Sequence, residues 1–191
     1  MAMGLLREGI NEVIATTCRN AAPMGIIYRN GVARMVVFWG SHTAERIREH
    51  GWVVANFLYD PVVYVKTAFE DLPPEDFIDE QVGEIAVQRL SGVEAWAAYQ
   101  AEIDQETNEA LIVTLTLLKE TICSLALHPV NRGFNSIIDA TVHATRFQQS
   151  RDPHLHDLIR HHASLVRKCG GARELQALEL LSTYLDFGDE E

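Results

Sequence analysis

Residues 22–39 read APMGIIYRNGVARMVVFW. Two apolar runs rich in β-formers, Ala22 to Tyr28 and Val32 to Trp39, stand on either side of Asn30-Gly31. Both residues of an Asn-Gly pair tolerate positive φ, so a pair of this kind between apolar runs signals a two-residue β-hairpin. Upstream, Ile10 to Thr17 is a third short run with β-branched residues. Downstream, Trp52 to Phe57, Val62 to Val65, Ile85 to Leu90, Gly92 to Gln100 and Ala110 to Leu118, with an extension toward Leu127, complete a set of seven or eight. Tyr59-Asp60-Pro61 separates two of them and reads as a turn in which proline fixes φ. Strands this short and this frequent predict a barrel or a sandwich.

The period changes in two places. Gly40-Ser41-His42-Thr43 precedes Ala44 to His50, and Gly51 follows. Hydroxyl residues in front and a glycine behind mark a helix of about two turns. From His128 onward the chain turns helical. One run carries Ile137, Ile138, Ala140, Thr141, Val142 and Ala144 and ends near Gln149. A second opens at Asp152-Pro153 and closes at Gly170-Gly171. A third carries Leu175, Leu178, Leu181 and Leu185. The expected architecture is α+β, with a β-barrel over residues 1–127 and a helical C-terminal region over 128–191. Leu72-Pro73-Pro74-Glu75-Asp76 reads as an exposed loop, and Phe187-Gly188-Asp189-Glu190-Glu191 as a frayed acidic end.

Composition narrows the function classes. Of 191 residues, 47% are hydrophobic and 23% charged, enough apolar material for a core without disulfide or metal staples. Cys18, Cys123 and Cys169 form no pair with metal-ligand or redox spacing. The formal net charge of -11 repels nucleic-acid phosphates, so no nucleic acid is expected as a partner. No apolar run approaches the length of a membrane helix, and none follows a basic amino terminus as a secretory signal would. These features together predict a reduced, cytoplasmic protein.

Two segments are suited to holding a ligand. In Arg19-Asn20-Ala21-Ala22-Pro23-Met24-Gly25, small side chains and a proline at a strand start let backbone groups approach a flat molecule closely. In Gly40-Ser41-His42-Thr43, a strand runs into a helix whose N-terminus offers N–H groups and partial positive charge, with Ser41 and Thr43 adding hydroxyls and Arg46 and Arg48 nearby. Taken alone, the first is equally an ordinary strand start and the second an ordinary N-cap. Histidines 143, 154, 156, 161 and 162 fall in the helical region. His154, Asp157 and His161 share one helical face, read as a solvated or interface face, and no metal site is expected. His128 and Arg132 stand at the junction of the two regions, where they serve either a ligand or a polar connection. No G-x-S-x-G, P-loop or G-x-G-x-x-G is present.

In order and spacing the segments resemble the flavin reductase-like, FMN-binding split barrels, and among them DUF447, a family of unknown function that pairs such a barrel with C-terminal helices. The resemblance runs through Asn11-Glu12-Val13-Ile14, Asn20 to Gly25, Gly40 to Thr43, Ala55-Asn56 and Val142 to Arg146. It implies FMN as cofactor, with the ring along Asn20, Ala21, Ala22, Pro23 and Met24, the phosphate at Ser41, His42 and Thr43, and Asn56 nearby. It also implies a homodimer and an FMN-dependent oxidoreductase of unknown substrate. A nicotinamide or another small molecule would then react directly at the flavin. The alternative is a non-catalytic module that holds FMN or another flat cofactor. No catalytic acid or base is identified. The chain departs from the family pattern twice: only Thr17, Cys18 and Arg19 precede Asn20 where a longer turn is usual, and Arg46 stands where many split-barrel reductases carry asparagine.

Overall fold

The computed structural model describes residues 4–185, so the acidic end at 187–191 lies outside the described residues. The chain divides into two compact units. One comprises the residues up to Leu58 together with Leu72–Ala126, the other Tyr59–Asp71 together with the residues from Leu127 on.

The first unit holds strands β1 (Gly9–Thr17), β2 (Asn20–Arg29), β3 (Val32–Phe38), β4 (Trp52–Phe57), β5 (Phe77–Val82), β6 (Ile85–Leu90), β7 (Ala95–Glu106) and β8 (Ala110–Ile122), with helix α1 (His42–His50) between β3 and β4. Six of the strands close a barrel in the order β1-β2-β3-β8-β7-β4, and β5 and β6 form a separate two-stranded sheet. Alternation decides which side chains enter the barrel. In β3, Ala33, Met35 and Val37 are buried while the residues between them are exposed. The interior is filled by Val13, Ala15, Ile26, Met35, Val53, Ala55, Leu111 and Val113, with Ala44 and Ile47 contributed by α1. The many alanines let six strands curve tightly around a packed centre. Truncating Leu111, which is fully buried, to alanine should cost about 2–5 kcal/mol.

The barrel is not equally sealed all round. β1 pairs with β2 along its whole length, from Gly9–Tyr28 to Thr17–Asn20. β2 pairs with β3 only from Ile26–Met35 to Arg29–Val32. Beyond Ile26 the two strands part, and β3 continues beside β8 as far as Phe38–Ala110. The β3-side edge of Asn20–Gly25 is therefore left without a strand partner, and α1 touches β1, β2 and β3. This is the split in the barrel.

The second unit is built from α2 (Pro61–Phe69), α3 (Arg132–Ser150), α4 (Pro153–Cys169) and α5 (Ala172–Tyr184). Its core gathers Val65, Ile137, Ala140, Ala144, Ile159, Val166, Leu178 and Leu181. The sequence expectation of a strand at Val62–Val65 is overturned, because these residues lie in α2. Asp60 accepts a hydrogen bond from the Val62 N–H at 3.0 Å and Pro61 occupies the first turn, which is the start signal of a helix. A four-residue apolar run fits either element, and the tertiary partners decide. Tyr59 is stacked between His128 at 4.2 Å and Phe134 at 4.0 Å. Asp60 takes two hydrogen bonds from Arg173, at 2.9 and 2.6 Å. No helix among the described residues is long and apolar enough to cross a membrane.

Candidate functional site

The two ligand-suited segments meet at the split. Asn20 begins β2 and Thr43 lies in the first turn of α1, and Asn20 Nδ2 donates to Thr43 Oγ1 at 3.0 Å. Thr43 is 2% exposed. Its hydroxyl oxygen accepts from Asn20, while its own proton is not consumed by that bond. Along β2 the period of two separates the candidate residues: Asn20, Ala22 and Met24 share the parity of the core residue Ile26, and Ala21 and Pro23 face the other way. Met24 packs against the barrel core, and Ala21 is buried as well. Neither Ala21, Ala22 nor Pro23 carries a polar side chain, so what this stretch offers is its backbone edge and its flatness.

Helix α1 starts where the sequence predicts, with Ser41 as N-cap in extended conformation, φ -87°. The Ser41 hydroxyl accepts from the Ala44 N–H at 3.2 Å and donates to the Phe38 carbonyl at 2.8 Å. It is thus engaged on both sides and fixes the strand-to-helix corner. Gly40, at φ +77°, makes that corner possible. The Glu45 N–H reaches the Ser41 carbonyl at 3.4 Å. The N–H groups of His42 and Thr43 are those left at the open end of the helix, where an anion is favoured. The His42 side chain is exposed and lies 3.7 Å from the Glu45 carboxylate. Arg46 pairs with Glu49 at 3.1 Å, and Arg48 pairs with Glu106 and lies 4.7 Å over the Trp39 ring.

Asn56 is completely buried, and its amide is taken up by the protein itself. Its Nδ2 donates to the Ile14 carbonyl at 2.9 Å and to Thr16 Oγ1 at 3.0 Å, and its Oδ1 accepts from the Leu90 N–H at 2.8 Å. Thr16 in turn donates to the Gln88 carbonyl at 2.6 Å. Asn56 is therefore a clasp that fastens β4 to β1 and to the β5–β6 hairpin. Its polar atoms are satisfied as burial requires. Thr16 was not singled out by the sequence reading. Two adjacent threonines directly after the apolar stretch Val13–Ala15 were the available signal.

The short connection before Asn20 is a two-residue turn. Cys18 at φ +49° and Arg19 at φ +60° are both left-handed, the mark of a type I′ hairpin. Burial pushes the Cys18 thiol above its usual value, with Glu49 adding to the rise and Arg46 opposing it. Arg19 reaches Asp79 on β5 at 3.2 Å. Away from the split, His154, Asp157 and His161 are exposed on α4, and among the described residues no group of three or more His, Cys, Asp or Glu side chains could hold a metal ion.

The DUF447 N-terminal domain, described as a protein of unknown function, matches residues 11–124, and the DUF447 C-terminal domain matches residues 131–183. The crystal structure of an FMN-bound DUF447 protein from Methanosarcina mazei is similar at 36% identity and a TM-score of 0.90, covering 94% of this chain and 96% of that one. More distant is an FMN-binding protein from Thermus thermophilus, at 10% identity and a TM-score of 0.46 over 64% of this chain and 78% of that one. A 2-nitrobenzoate 2-nitroreductase from Pseudomonas fluorescens stands at a similar distance, with 15% identity and a TM-score of 0.47 over 62% and 67%. Neither of these two partial likenesses bears on activity. The two matched domains together span most of the chain, and the chain belongs to the DUF447 family.

Proposed function

We propose that this chain is an FMN-binding flavoprotein that holds its flavin at the split between β2 and β3. The observation that carries the reading is the FMN-bound relative from Methanosarcina mazei, similar along 94% of the chain. The residues present fit such a group. Asn20 to Met24 offer an unpaired strand edge with small side chains for a flat ring. The first turn of α1 offers the N–H groups of His42 and Thr43 and the Thr43 hydroxyl for a phosphate. Ser41 holds the corner from which those donors project, and Asn56 acts on the site through the strands it fastens. Bound FMN supplies one- and two-electron redox chemistry, while the protein binds and orients it. The activity this supports is that of a flavin reductase-like oxidoreductase. With no separate dinucleotide motif in the chain, a nicotinamide donor would meet the flavin directly. A homodimer in a reduced, cytoplasmic setting completes the reading.

The test is the absorbance spectrum of freshly purified protein, followed by titration with FMN. Flavin bands, or saturable FMN binding, are expected. A colourless protein without FMN affinity would sink the reading. NAD(P)H oxidation by the FMN-loaded protein then separates an oxidoreductase from a flavin-holding module, and light scattering separates dimer from monomer.

A further inference from the structure

The threonine that ends β1 is left over from the hydrogen bonds at the split. Thr17 is fully buried, and its hydroxyl makes no hydrogen bond. The Cys18 thiol feels this hydroxyl, but a neutral thiol is a weak partner and forms no bond of normal geometry with it. A buried hydroxyl without a partner is costly, so its position calls for a reason. Strand parity gives its direction. Val13 and Ala15 belong to the barrel core, and Thr17 is the next residue of that parity. In the register of β1 on β2, the partner of Thr17 is Asn20. Directly opposed residues share a face, with Cβ atoms about 4.5–5.5 Å apart. The Asn20 amide therefore has two threonine hydroxyls to choose from: that of Thr43 on α1, which it bonds at 3.0 Å, and that of Thr17 on β1, which it leaves unpaired.

The bond that is made crosses the split. It ties the start of β2 to the first turn of α1, the two edges that the FMN reading assigns to the ring and to the phosphate. A ligand lying along both edges must pass this bridge. An amide swung off Thr43 stays paired inside the protein where a second acceptor stands on the same face, and Thr17 is such an acceptor. We propose that Thr17 is a positioning residue for the flavin: on FMN binding, the Asn20 side chain leaves Thr43 and donates to Thr17, which frees the Thr43 hydroxyl for the phosphate. This inference rests on the FMN reading and adds to it a residue that touches no part of the ligand. It gives the unpaired hydroxyl its purpose. The free protein carries the cost of Thr17, and the loaded protein recovers it, so part of the binding free energy is stored in the barrel before the ligand arrives.

The experiment is FMN titration of the full chain and its variants, followed by flavin fluorescence. Thr17→Val keeps the shape and removes the hydroxyl, and should bind FMN about fivefold more weakly, the net worth of one ordinary hydrogen bond. Thr17→Ser keeps the hydroxyl and should restore the parent affinity. Asn20→Ala removes the amide through which Thr17 acts. Adding Thr17→Val to it should therefore weaken FMN no further, whereas a merely structural role would make the two losses add. Without flavin, Thr17→Val should melt no lower than the parent chain, because the hydroxyl has no bond to lose. Unchanged FMN affinity in Thr17→Val, additive losses in the double variant, or a lower flavin-free melting temperature would overturn the role of Thr17 and leave the FMN reading standing. A parent chain without FMN affinity would remove both.

Discussion

Strand β2 is bounded by two turns of the same shape built from opposite chemistry. At its far end, Asn30 and Gly31 take φ of +51° and +79°. At its near end, Cys18 and Arg19 take +49° and +60°. Both are two-residue hairpins with positive φ at each central position. Asn-Gly adopts that geometry readily, whereas a side chain such as Cys or Arg meets the following carbonyl and pays about 1–2 kcal/mol per residue in the left-handed region. The turn that local preference favours lies away from the split. The strained one leads straight into Asn20, whose amide bridges to Thr43. The register of β1 on β2, continuous from Gly9 to Thr17, is strong enough to impose the geometry on residues that resist it. Strain of this sort persists only where the surroundings over-determine it, and such places cluster at functional sites.

The largest effect should come from making the near turn resemble the far one. Cys18→Asn with Arg19→Gly should raise stability by about 2 kcal/mol, less the few tenths contributed by the exposed Arg19–Asp79 pair. Denaturant melts measure this, and a loss of stability would mean that the turn is not strained. FMN affinity of the same variant tells whether the site uses the strain or merely tolerates it. The reverse change at the far turn, Gly31→Ala, should cost about 1 kcal/mol. No atom stands near the added methyl, so the whole loss would be conformational. Thr43→Val deletes the acceptor of Asn20 and should cost about 1 kcal/mol in stability. Its FMN affinity should fall by more than that of Gly31→Ala; equal affinities would remove Thr43 from the site.

The smallest effect is a pH dependence that one turn has and the other lacks. The Cys18 thiol is raised above 9.0, chiefly by burial. Its contribution is fully present below 9.0 and declines as pH rises through the folded value, because the unfolded thiol ionises first. The chain should therefore lose stability in mild alkali more steeply than its Cys18→Ser variant. Parallel pH profiles would disprove the assignment.

Strand β3 was legible from its alternation and from Asn30-Gly31, which announces its hairpin, whereas β1 and β4, with unbroken buried runs, were legible as short β-branched apolar stretches. Helix α1 was legible from Ser41 and Gly51, which occupy its two caps. Two elements were not legible. Helix α2 carries a β-branched apolar run, and only its burial among α3 and α5 reveals why Asp60-Pro61 is a helix start rather than a turn. Strand β5 reads Phe-Ile-Asp-Glu-Gln-Val, with only its ends buried, and owes its place to pairing with β6. At the split, the residue types were visible in the sequence, but their roles were not. Nothing local distinguishes Thr43, which meets Asn20, from Asn56, which spends its amide on strand edges.

The second unit has a consequence for how the chain leaves the ribosome. Helix α2 is synthesised between β4 and β5, yet Val65, fully buried at its centre, packs with Ile137, Val166, Leu178 and Leu181. Those partners emerge only after the barrel strands have been completed, a delay on the order of seconds at ordinary translation rates. During that interval α2 is an amphipathic segment with no covering layer, while β1 to β8 already have all their pairing partners. Translation that stalls near residue 126 would release a chain with a complete barrel sequence and a bare apolar helix, a ready substrate for chaperone capture or proteolysis.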